Sequence, residues 1–288
     1  MSDLHEPVLR WYDEHARDLP WRAPGATPWA ILVSEFMLQQ TPVARVLPVW
    51  TAWLAAWPTP AALATEPAGE AVRAWGRLGY PRRALRLHAA AREIVERHDG
   101  QVPASYDALR ALPGIGDYTA AAVASFAYRQ RHAVLDTNVR RVLARAVSGS
   151  EFPPVAVTRA ERELATRLLP EEPTDAAHWA VAVMELGALV CTATNPGCER
   201  CPLLDRCAWV TAGRPAHDGP ARKVQTYAGT DRQCRGRLLA VLRDTEASVP
   251  KAVLDDVWPD QPQRERALAS LVTDGLVVAL PDGRFALP

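Results

Sequence analysis

The chain has 288 residues, 48% of them hydrophobic, which is enough for one large domain or two modest ones around a sizeable core. Its 33 basic and 33 acidic side chains balance to zero net charge, so the overall charge does not indicate a nucleic-acid partner. The sequence shows neither a signal-peptide pattern nor an apolar run long enough to span a bilayer, and we therefore expect a soluble, cytoplasmic protein.

Residues 5–210 are predicted to be mostly helical, because apolar residues recur at helical spacing between Pro and Gly residues. Thr27 and Pro28 match the N-cap and the first position of a helix that runs through Glu35 towards Gln40. Further helices are predicted over 43–56, 69–76, 83–98, 105–111, 117–128, 138–147, 158–169 and 174–190.

The chain changes character after residue 210. Residues 211–232 are polar and contain Gly and Pro, which is typical of a linker. Helices are predicted over 233–245 and 262–274, and the alternation in 277–287 around Asp282-Gly283 is typical of a β-hairpin. Residues 233–288 are thus predicted to form a small winged-helix-like α+β unit, which either binds DNA or packs against the rest of the protein.

Glu35 interrupts the apolar segment WAILVSEFMLQQTPV (29–43). The helix is apolar on every face, so Glu35 is expected to be buried wherever its side chain points. Desolvation should raise its pKa and keep it protonated near neutral pH. The alternative is a buried carboxylate that hydrogen bonds satisfy without any chemical role.

The segment ALPGIGDYTAAAVASFAY (111–128) predicts two helices joined by a tight turn at Gly114 and Gly116. Backbone N–H groups from Gly114 to Asp117 lie at a helix N-terminus and lack intrahelical partners, which suits them to a phosphate. This pattern predicts a helix–hairpin–helix that binds a DNA backbone without reading its sequence. An ordinary αα-turn is the alternative.

Asp136 lies in HAVLDTNVRRVLARA (132–146), just ahead of a helix predicted to begin at Val139 with Thr137 or Asn138 as N-cap. The helix dipole should favour the ionised carboxylate and hold its pKa low. A neutral acid beside an ionised carboxylate is the pairing that cleaves glycosidic bonds. The alternative is that Asp136 only helps to cap the helix.

Four of the five cysteines fall within CTATNPGCERCPLLDRC (191–207). Zinc sites usually use two separated C-x2-C arms, whereas one C-x2-C pair flanked by single cysteines suits a cubane iron–sulfur cluster. The spacing therefore favours a [4Fe-4S] cluster over zinc, and Cys234 is expected to be a structural or free thiol. The predicted ligands are Cys191, Cys198, Cys201 and Cys207.

Together these motifs resemble the helix–hairpin–helix DNA glycosylases that carry an iron–sulfur cluster, specifically the adenine DNA glycosylase (MutY) family. The resemblance covers roughly residues 5–210, in order, and includes LPWR (19–22), SEFMLQQT (34–41), RLGY (77–80), LPGIG (112–116) and LDTNVRRVLAR (135–145). SEFMLQQT discriminates against endonuclease III, because Glu35 falls where the adenine enzymes carry their general acid.

The resemblance implies an all-α, two-lobed fold with DNA in the cleft and the target adenine flipped out of the duplex. The expected parts are a six-helix barrel lobe with the helix–hairpin–helix over 25–130, a cluster lobe over 1–24 and 131–210, the linker over 211–232 and the C-terminal unit over 233–288. The expected partner is double-stranded DNA with A·8-oxoguanine or A·G mispairs, bound by a monomer without a membrane. Such an enzyme would act on the DNA of the bacterial nucleoid.

By position, Glu35 would protonate adenine N7, Asp136 would stabilise an oxocarbenium ion, and Asn138 would support it. Tyr118 falls where bifunctional relatives carry a Schiff-base lysine. Residues matching the adenine pocket are Trp21, Arg22 and Glu185, and those matching a wedge beside the opposing 8-oxoguanine are Leu38, Gln40 and Tyr80.

Lysine is absent from residues 1–222, the only two being Lys223 and Lys251. A bifunctional β-lyase needs a lysine amine in its site, so we expect a monofunctional glycosylase that uses water and leaves an abasic site.

The chain departs from the family in two places. Tyr80-Pro81 replaces the Gly-Tyr-Tyr aromatic pair, and the region after 211 is too short for the Nudix-like domain that recognises 8-oxoguanine in many relatives. Two alternatives stay open: a thymine glycosylase acting on G·T mismatches, and a non-catalytic DNA-binding protein with a structural or redox-sensing cluster.

Overall fold

The computed structural model describes residues 3–217, 219 and 227–288. The described part is mostly helical, with a small three-stranded sheet near the C-terminus, so the predicted fold class is confirmed. None of the described helices combines the length and apolarity needed to cross a bilayer. The α-helices are His5–His15 (α1), Pro28–Leu38 (α2), Val43–Ala56 (α3), Pro60–Ala64 (α4), Ala68–Trp75 (α5), Arg82–Arg97 (α6), Tyr106–Ala111 (α7), Asp117–Tyr128 (α8), Thr137–Ala146 (α9), Arg159–Arg167 (α10), Pro173–Leu189 (α11), Ala208–Thr211 (α12), Asp231–Arg243 (α13), Lys251–Asp255 (α14) and Gln261–Thr273 (α15). The strands are Val249–Pro250 (β1), Val278–Ala279 (β2) and Arg284–Ala286 (β3), and short 3-10 helices cover Pro20–Arg22, Cys198–Arg200 and Leu204–Arg206.

The chain divides into two compact units. The first contains residues 1–32, 104–111 and 115–221, and the second contains residues 33–103, 112–114 and 222–288. Helix α2 supplies its first residues to one unit and its remainder, including Glu35, to the other.

The first unit is built around α11, which packs against α1, α8 and α9. This helix is apolar on most of its circumference, so several neighbours can cover it at once. Val142, Val183 and Leu186 belong to one hydrophobic core, and Trp179 meets the buried His5 ring edge-on at 4.7 Å. The core thereby fixes both α9 and α11, the helices that carry Asn138 and Glu185.

The second unit has a helical part in which α6 packs on α4 and α5. Trp53 lies edge-on to Trp57 and Trp75, with ring centroids 4.7 and 5.9 Å away. Such aromatic pairs add stability beyond the area they bury. Trp75 also donates to Gly79 O at 2.9 Å, in the loop that leads from α5 to Tyr80.

The C-terminal part of the second unit contains α13 packed on α15 and an antiparallel sheet in the order β1-β3-β2. The sequence predicted the β2–β3 hairpin but missed the short β1 and α14. Arg73 of α5 donates to the backbone oxygens of Arg243 and Thr245, and Arg243 donates to Val72 O at 2.9 Å. Two arginines therefore connect this winged-helix-like part to α5: Arg73 of α5 binds backbone at the end of α13, and Arg243 of α13 binds the backbone of α5. Part of the predicted linker, at 218 and 220–226, lies outside the described residues.

Candidate active site and cysteine cluster

Asp136 is the N-cap of α9, which begins one residue later at Thr137. Its Oδ1 accepts from the Val139 backbone N–H at 2.6 Å, and its Oδ2 accepts from Asn138 Nδ2 at 2.7 Å. The expectation that Thr137 or Asn138 would cap a helix starting at Val139 was wrong, because the helix begins at Thr137 and Asp136 accepts from the N–H of its third residue.

Burial raises the pKa of Asp136, although the hydrogen bonds from Val139 and Asn138 offset part of the increase. The expectation of a low pKa was therefore also wrong. The dipole at a helix N-terminus is a modest effect, whereas removing a carboxylate from water is a large one. Asp136 combines a fixed orientation with a carboxylate that is costly to ionise.

Arg141 connects Asp136 indirectly to the cysteine segment. Its guanidinium donates to Asn138 Oδ1 at 2.9 Å, to Gly187 O at 2.6 Å and to Cys191 O at 2.6 Å. Asn138 in turn donates to Asp136, so a continuous chain of hydrogen bonds runs from residue 191 to the carboxylate. Because Arg141 is buried, these bonds are expected to be strong and to fix the Asn138 amide.

Gly187 allows α11 to approach the start of α9. A Cβ at this position would lie 2.7 Å from Asn138 Cβ and 2.8 Å from its backbone oxygen. No side chain larger than hydrogen fits without displacing Asn138. Gly187 therefore helps to position Asn138, and through it Asp136, although its sequence context is that of an ordinary helix.

Glu185 is fully buried and binds two arginines of the first unit. Arg17 donates to both carboxylate oxygens, at 2.6 and 2.7 Å, and Arg22 donates at 2.9 Å. Burial alone would raise the pKa of Glu185, but the two arginines outweigh it and lower the pKa to about 2. The structure thus joins Arg22 to Glu185, next to the buried Trp21, and adds Arg17.

Tyr118 lies on α8 in the same unit and is half-buried. It packs against a small hydrophobic cluster that includes Ala121, Val134 and Ala180.

The second unit carries Glu35 and the predicted wedge. Glu35 lies in the middle of α2 with only 5% of its surface exposed, so its predicted burial is confirmed. Leu38 ends α2 half-buried, while Gln40 and Tyr80 are exposed and both have left-handed backbone conformations.

The helix–hairpin–helix consists of α7, a turn and α8, and the two helices pack together. Gly114 has a φ of +79°, and a Cβ there would lie 2.7 Å from Arg86 Cβ, so the turn itself requires this glycine. Gly116 is the N-cap of α8 with an ordinary φ of −94°, and nothing lies within 4 Å of a Cβ built on it. Folding therefore does not require a glycine at position 116. The missing side chain leaves open space in front of the N-terminus of α8.

The four cysteines of 191–207 line one cavity, together with Arg145, Trp209 and aliphatic side chains. None of them forms a disulfide. Among the described residues no three Cys, His, Asp or Glu side chains converge closely enough to hold one metal ion. Four thiols that line one cavity are a donor set that a multi-iron cluster can use.

Arg145 forms one wall of this cavity. It is buried, donates to Cys191 Sγ at 3.5 Å and to Thr192 O at 2.7 Å, and lies 4.8 Å from the centre of the Trp209 ring. Burial raises the pKa of Cys201 to about 11, and the neighbouring sulfurs add to the increase. The Cys201 thiol is therefore protonated at neutral pH, and metal binding there would release its proton.

Comparison with known proteins identifies the family. Residues 33–167 match the HhH-GPD superfamily of base excision DNA repair proteins. Over 282 residues the chain is 56% identical to the adenine DNA glycosylase of Mycobacterium tuberculosis, which covers 98% of this chain and 92% of that protein. The chain belongs to the adenine DNA glycosylase family. The Mycolicibacterium smegmatis member is likewise 56% identical, over 100% of this chain and 97% of its own length.

A solved structure of a thermostable thymine-DNA glycosylase has the same fold, with a TM-score of 0.64 and 27% identity over 72% of this chain and 94% of that one. Membership of the adenine DNA glycosylase family makes the protein a base excision repair glycosylase, and hence a hydrolase, which confirms the resemblance inferred from the motifs.

Sequence reasoning missed the arginines that organise the site. Arg17, Arg141 and Arg145 bind Glu185, Asn138 and the cysteine segment, respectively. Arg141 and Arg145 are four residues apart, which on a helix is equally typical of a solvated face. However, Arg141 and Arg145 follow Asn138 at helical spacing and therefore lie on the same face of α9. This spacing was the available signal that both arginines are buried.

In this glycosylase family a phosphate-binding role for the hairpin predicts different effects at its two glycines. Gly116→Ala is expected to lower the free energy of unfolding by no more than about 1 kcal/mol, the usual cost of Ala at an N-cap. It should nevertheless weaken duplex binding roughly tenfold, because the added methyl group would hold a phosphate away from the helix N-terminus.

Gly114→Ala should instead lower the melting temperature clearly, through its positive φ and the contact with Arg86. Fluorescence anisotropy with a labelled duplex and thermal unfolding of both variants would measure the two effects. Unchanged DNA affinity of Gly116→Ala would rule out phosphate binding at this turn.

Proposed function

We propose that the protein removes adenine paired with 8-oxoguanine or guanine in double-stranded DNA by hydrolysing its N-glycosidic bond. The observation that carries the proposal is the buried Glu35 in the middle of α2, in a chain 56% identical to adenine DNA glycosylases. A carboxylic acid kept from water suits a general acid. Asp136, oriented by Asn138 and the start of α9, provides the second carboxyl group.

The reaction then proceeds in two steps. Glu35 donates its proton to adenine N7, and the C1′–N9 bond breaks with its electron pair leaving on adenine. The Asp136 carboxylate stabilises the positive charge on the oxocarbenium-like sugar. Water adds to C1′, and its proton passes to the Glu35 carboxylate, leaving an abasic site.

Trp21, Arg22 and Glu185 are proposed to bind the flipped adenine. In support, Arg22 Nη1 is buried without a hydrogen-bond partner among the described residues. An unsatisfied buried donor is unfavourable, and a ring nitrogen of a base is a suitable acceptor. Glu185 holds the Arg22 guanidinium in place from the other side.

Leu38, Gln40 and Tyr80 are proposed to enter the stack beside the opposing base. Tyr80 is 51% exposed, whereas tyrosine side chains are more often largely buried. Gly114 and Gly116 are proposed to seat a backbone phosphate, in a monomer that acts in the cytoplasm on nucleoid DNA.

The proposed enzyme is monofunctional. Residues 1–222 contain no lysine, and Lys223 lies outside the described residues. Lys251 Nζ is 2.8 Å from both Asp255 and Glu265, and these hydrogen bonds raise its pKa. A protonated, paired ammonium is a poor nucleophile, which supports attack by water.

Cys191, Cys198, Cys201 and Cys207 are proposed to hold a [4Fe-4S] cluster. When bound, such a cluster cross-links the segment 191–207 and can also carry one electron. Its ligation would fix Cys191 and hence the backbone oxygen that Arg141 binds. It would also set the loop that carries the exposed Arg200 and Arg206, which could bind phosphates.

Excision from paired duplexes tests the function. Purified protein under single-turnover conditions is expected to release adenine from A·8-oxoguanine and A·G duplexes and to leave T·G intact. Borohydride should trap no covalent complex, and strand cleavage should require added alkali. Thymine release from T·G would favour the thymine glycosylase alternative, and release of no base would favour a non-catalytic DNA-binding protein.

The metal content tests the cluster independently of activity. The purified protein should be brown and contain about four iron and four sulfide ions per chain. Cys198→Ser should lower both. A colourless protein with one zinc ion per chain would contradict the cluster while leaving the glycosylase proposal intact.

A further inference from the structure

Gln40 and Tyr80 both adopt backbone conformations that side chains normally avoid. Their φ angles are +55° and +47°. A left-handed conformation is costly for residues other than glycine, particularly for a bulky side chain such as Tyr80. Such strain persists only where the surroundings enforce it, and it is frequent at functional sites. Something in the second unit must therefore hold both residues.

Arg83, in the first turn of α6, binds the peptide group immediately before each of them. Its Nη1 lies 2.6 Å from Gln39 O and its Nη2 lies 3.2 Å from Gly79 O. These two oxygens belong to the peptide bonds that lead into Gln40 and Tyr80. One guanidinium thus fixes the orientation of both strained peptides.

Two further contacts close this arrangement. The Thr41 hydroxyl lies 3.2 Å from Gln39 O and 3.3 Å from Leu78 O, and Arg83 Nη2 reaches it at 3.4 Å. The Arg83 guanidinium also stacks over the Tyr80 ring, 5.1 Å from its centre. Both the backbone and the ring of Tyr80 therefore depend on Arg83.

Arg83 is a buried cation that backbone oxygens stabilise. Arg83 is only 6% exposed, and the hydrogen bonds of its guanidinium go to backbone oxygens and to the Thr41 hydroxyl. Burial lowers its pKa to about 10, so it remains charged at neutral pH. Phe36 O, at 2.9 Å, belongs to the last turn of α2, whose dipole places negative charge there.

We propose that Arg83 is a positioning residue that holds Gln40 and Tyr80 as one preformed wedge and thereby determines how well the protein distinguishes the base opposite adenine. This inference rests on the proposed function, because it takes the wedge to face the opposing base. A preformed wedge enters the stack without first losing conformational freedom.

Arg83→Lys tests the proposal, because lysine keeps the charge but cannot bind two carbonyl groups through a planar fork. Single-turnover rates would be measured on adenine opposite 8-oxoguanine, guanine and a tetrahydrofuran abasic analogue. The ratio of the 8-oxoguanine rate to the abasic rate should fall at least about tenfold, while the abasic rate changes less than about threefold. Arg92→Lys, on the exposed face of α6, is the matched control and should leave every rate unchanged.

A second measurement reports on the wedge without DNA. The chain has six tyrosines, so 3-fluorotyrosine labelling would give six ¹⁹F signals, with Tyr80 assigned through Tyr80→Phe. Arg83→Lys should shift and narrow the Tyr80 signal as the ring becomes mobile. If Arg83→Lys does not fold, Thr41→Val removes the bridging hydroxyl and should lower the same rate ratio by a smaller factor.

Equal loss on all three duplexes with an unchanged Tyr80 signal would show that Arg83 only stabilises the fold, and would overturn the inference. A wild-type protein without any preference for the opposing base would instead contradict the proposed function. The ¹⁹F signal of the free protein would still test the positioning in that case.

Discussion

Glu35→Gln is expected to lower the rate of adenine release by about two to four orders of magnitude, the usual contribution of a general acid. The amide has nearly the same shape as the acid but carries no proton that it can give to adenine N7. Duplex affinity should stay within about threefold, because the side chain is buried in α2. Single-turnover excision and fluorescence anisotropy on the same A·8-oxoguanine duplex would measure both effects.

A modified substrate identifies the atom that receives the proton. When carbon replaces adenine N7, wild-type release should fall to a similar extent, and Glu35→Gln should then cause little additional loss. Such non-additivity is the signature of two groups in one interaction. Glu96→Gln, at an exposed ion pair on α6, is the control and should not change the rate. Undiminished release by Glu35→Gln would rule out Glu35 as the acid.

The sequence located the long helices to within about two residues, because Pro, Gly and capping residues mark their ends. Thr27, for example, caps α2 through Ala30 N as expected. Helix α1 was not given a range of its own. The short α4, α12, α14 and β1 were missed, since five or fewer residues carry too little periodicity to be recognised. The C-terminal part resembles a winged helix in its elements, but its attachment to α5 through Arg73 and Arg243 involves residues about 170 positions apart.

The residues that carry the chemistry of the site were easier to predict from the sequence than the residues that hold them in position. Residue types and motifs pointed to Glu35, Asp136 and the four cysteines. The arginines that support Asp136 and the cysteine segment were missed, because an arginine in a helix is usually solvated. Arg83 is an example: it binds the backbone oxygens of Gln39 and Gly79, which come close to each other only in the folded protein.

The pKa of Asp136 was predicted in the wrong direction for a related reason. Its place before α9 is evident from the sequence, whereas the burial that outweighs the helix dipole is a property of the folded unit. The correction changes the expected pH dependence. Activity requires ionised Asp136, so the acidic limb of the excision rate should lie above the usual range for an aspartate.

Asp136→Asn is expected to lower excision by about two to three orders of magnitude, because the carboxylate no longer stabilises the oxocarbenium-like sugar. Its effect on stability should have a different pH dependence from that of most carboxylate substitutions. In the wild type, the folded-state pKa is raised above the unfolded value of about 3.9. The contribution of Asp136 to stability is therefore full below the unfolded pKa and is lost as pH rises through the folded pKa.

The asparagine variant does not titrate at this position, so its stability relative to the wild type should increase with pH over that interval and stay constant above it. Urea unfolding of both proteins from pH 4 to pH 8 would measure this difference, with Asp205→Asn at an exposed site as a control that should show no such trend. A difference independent of pH would show that the Asp136 pKa is not raised. A rising difference together with lost excision would show that the carboxylate is retained for catalysis at the expense of stability.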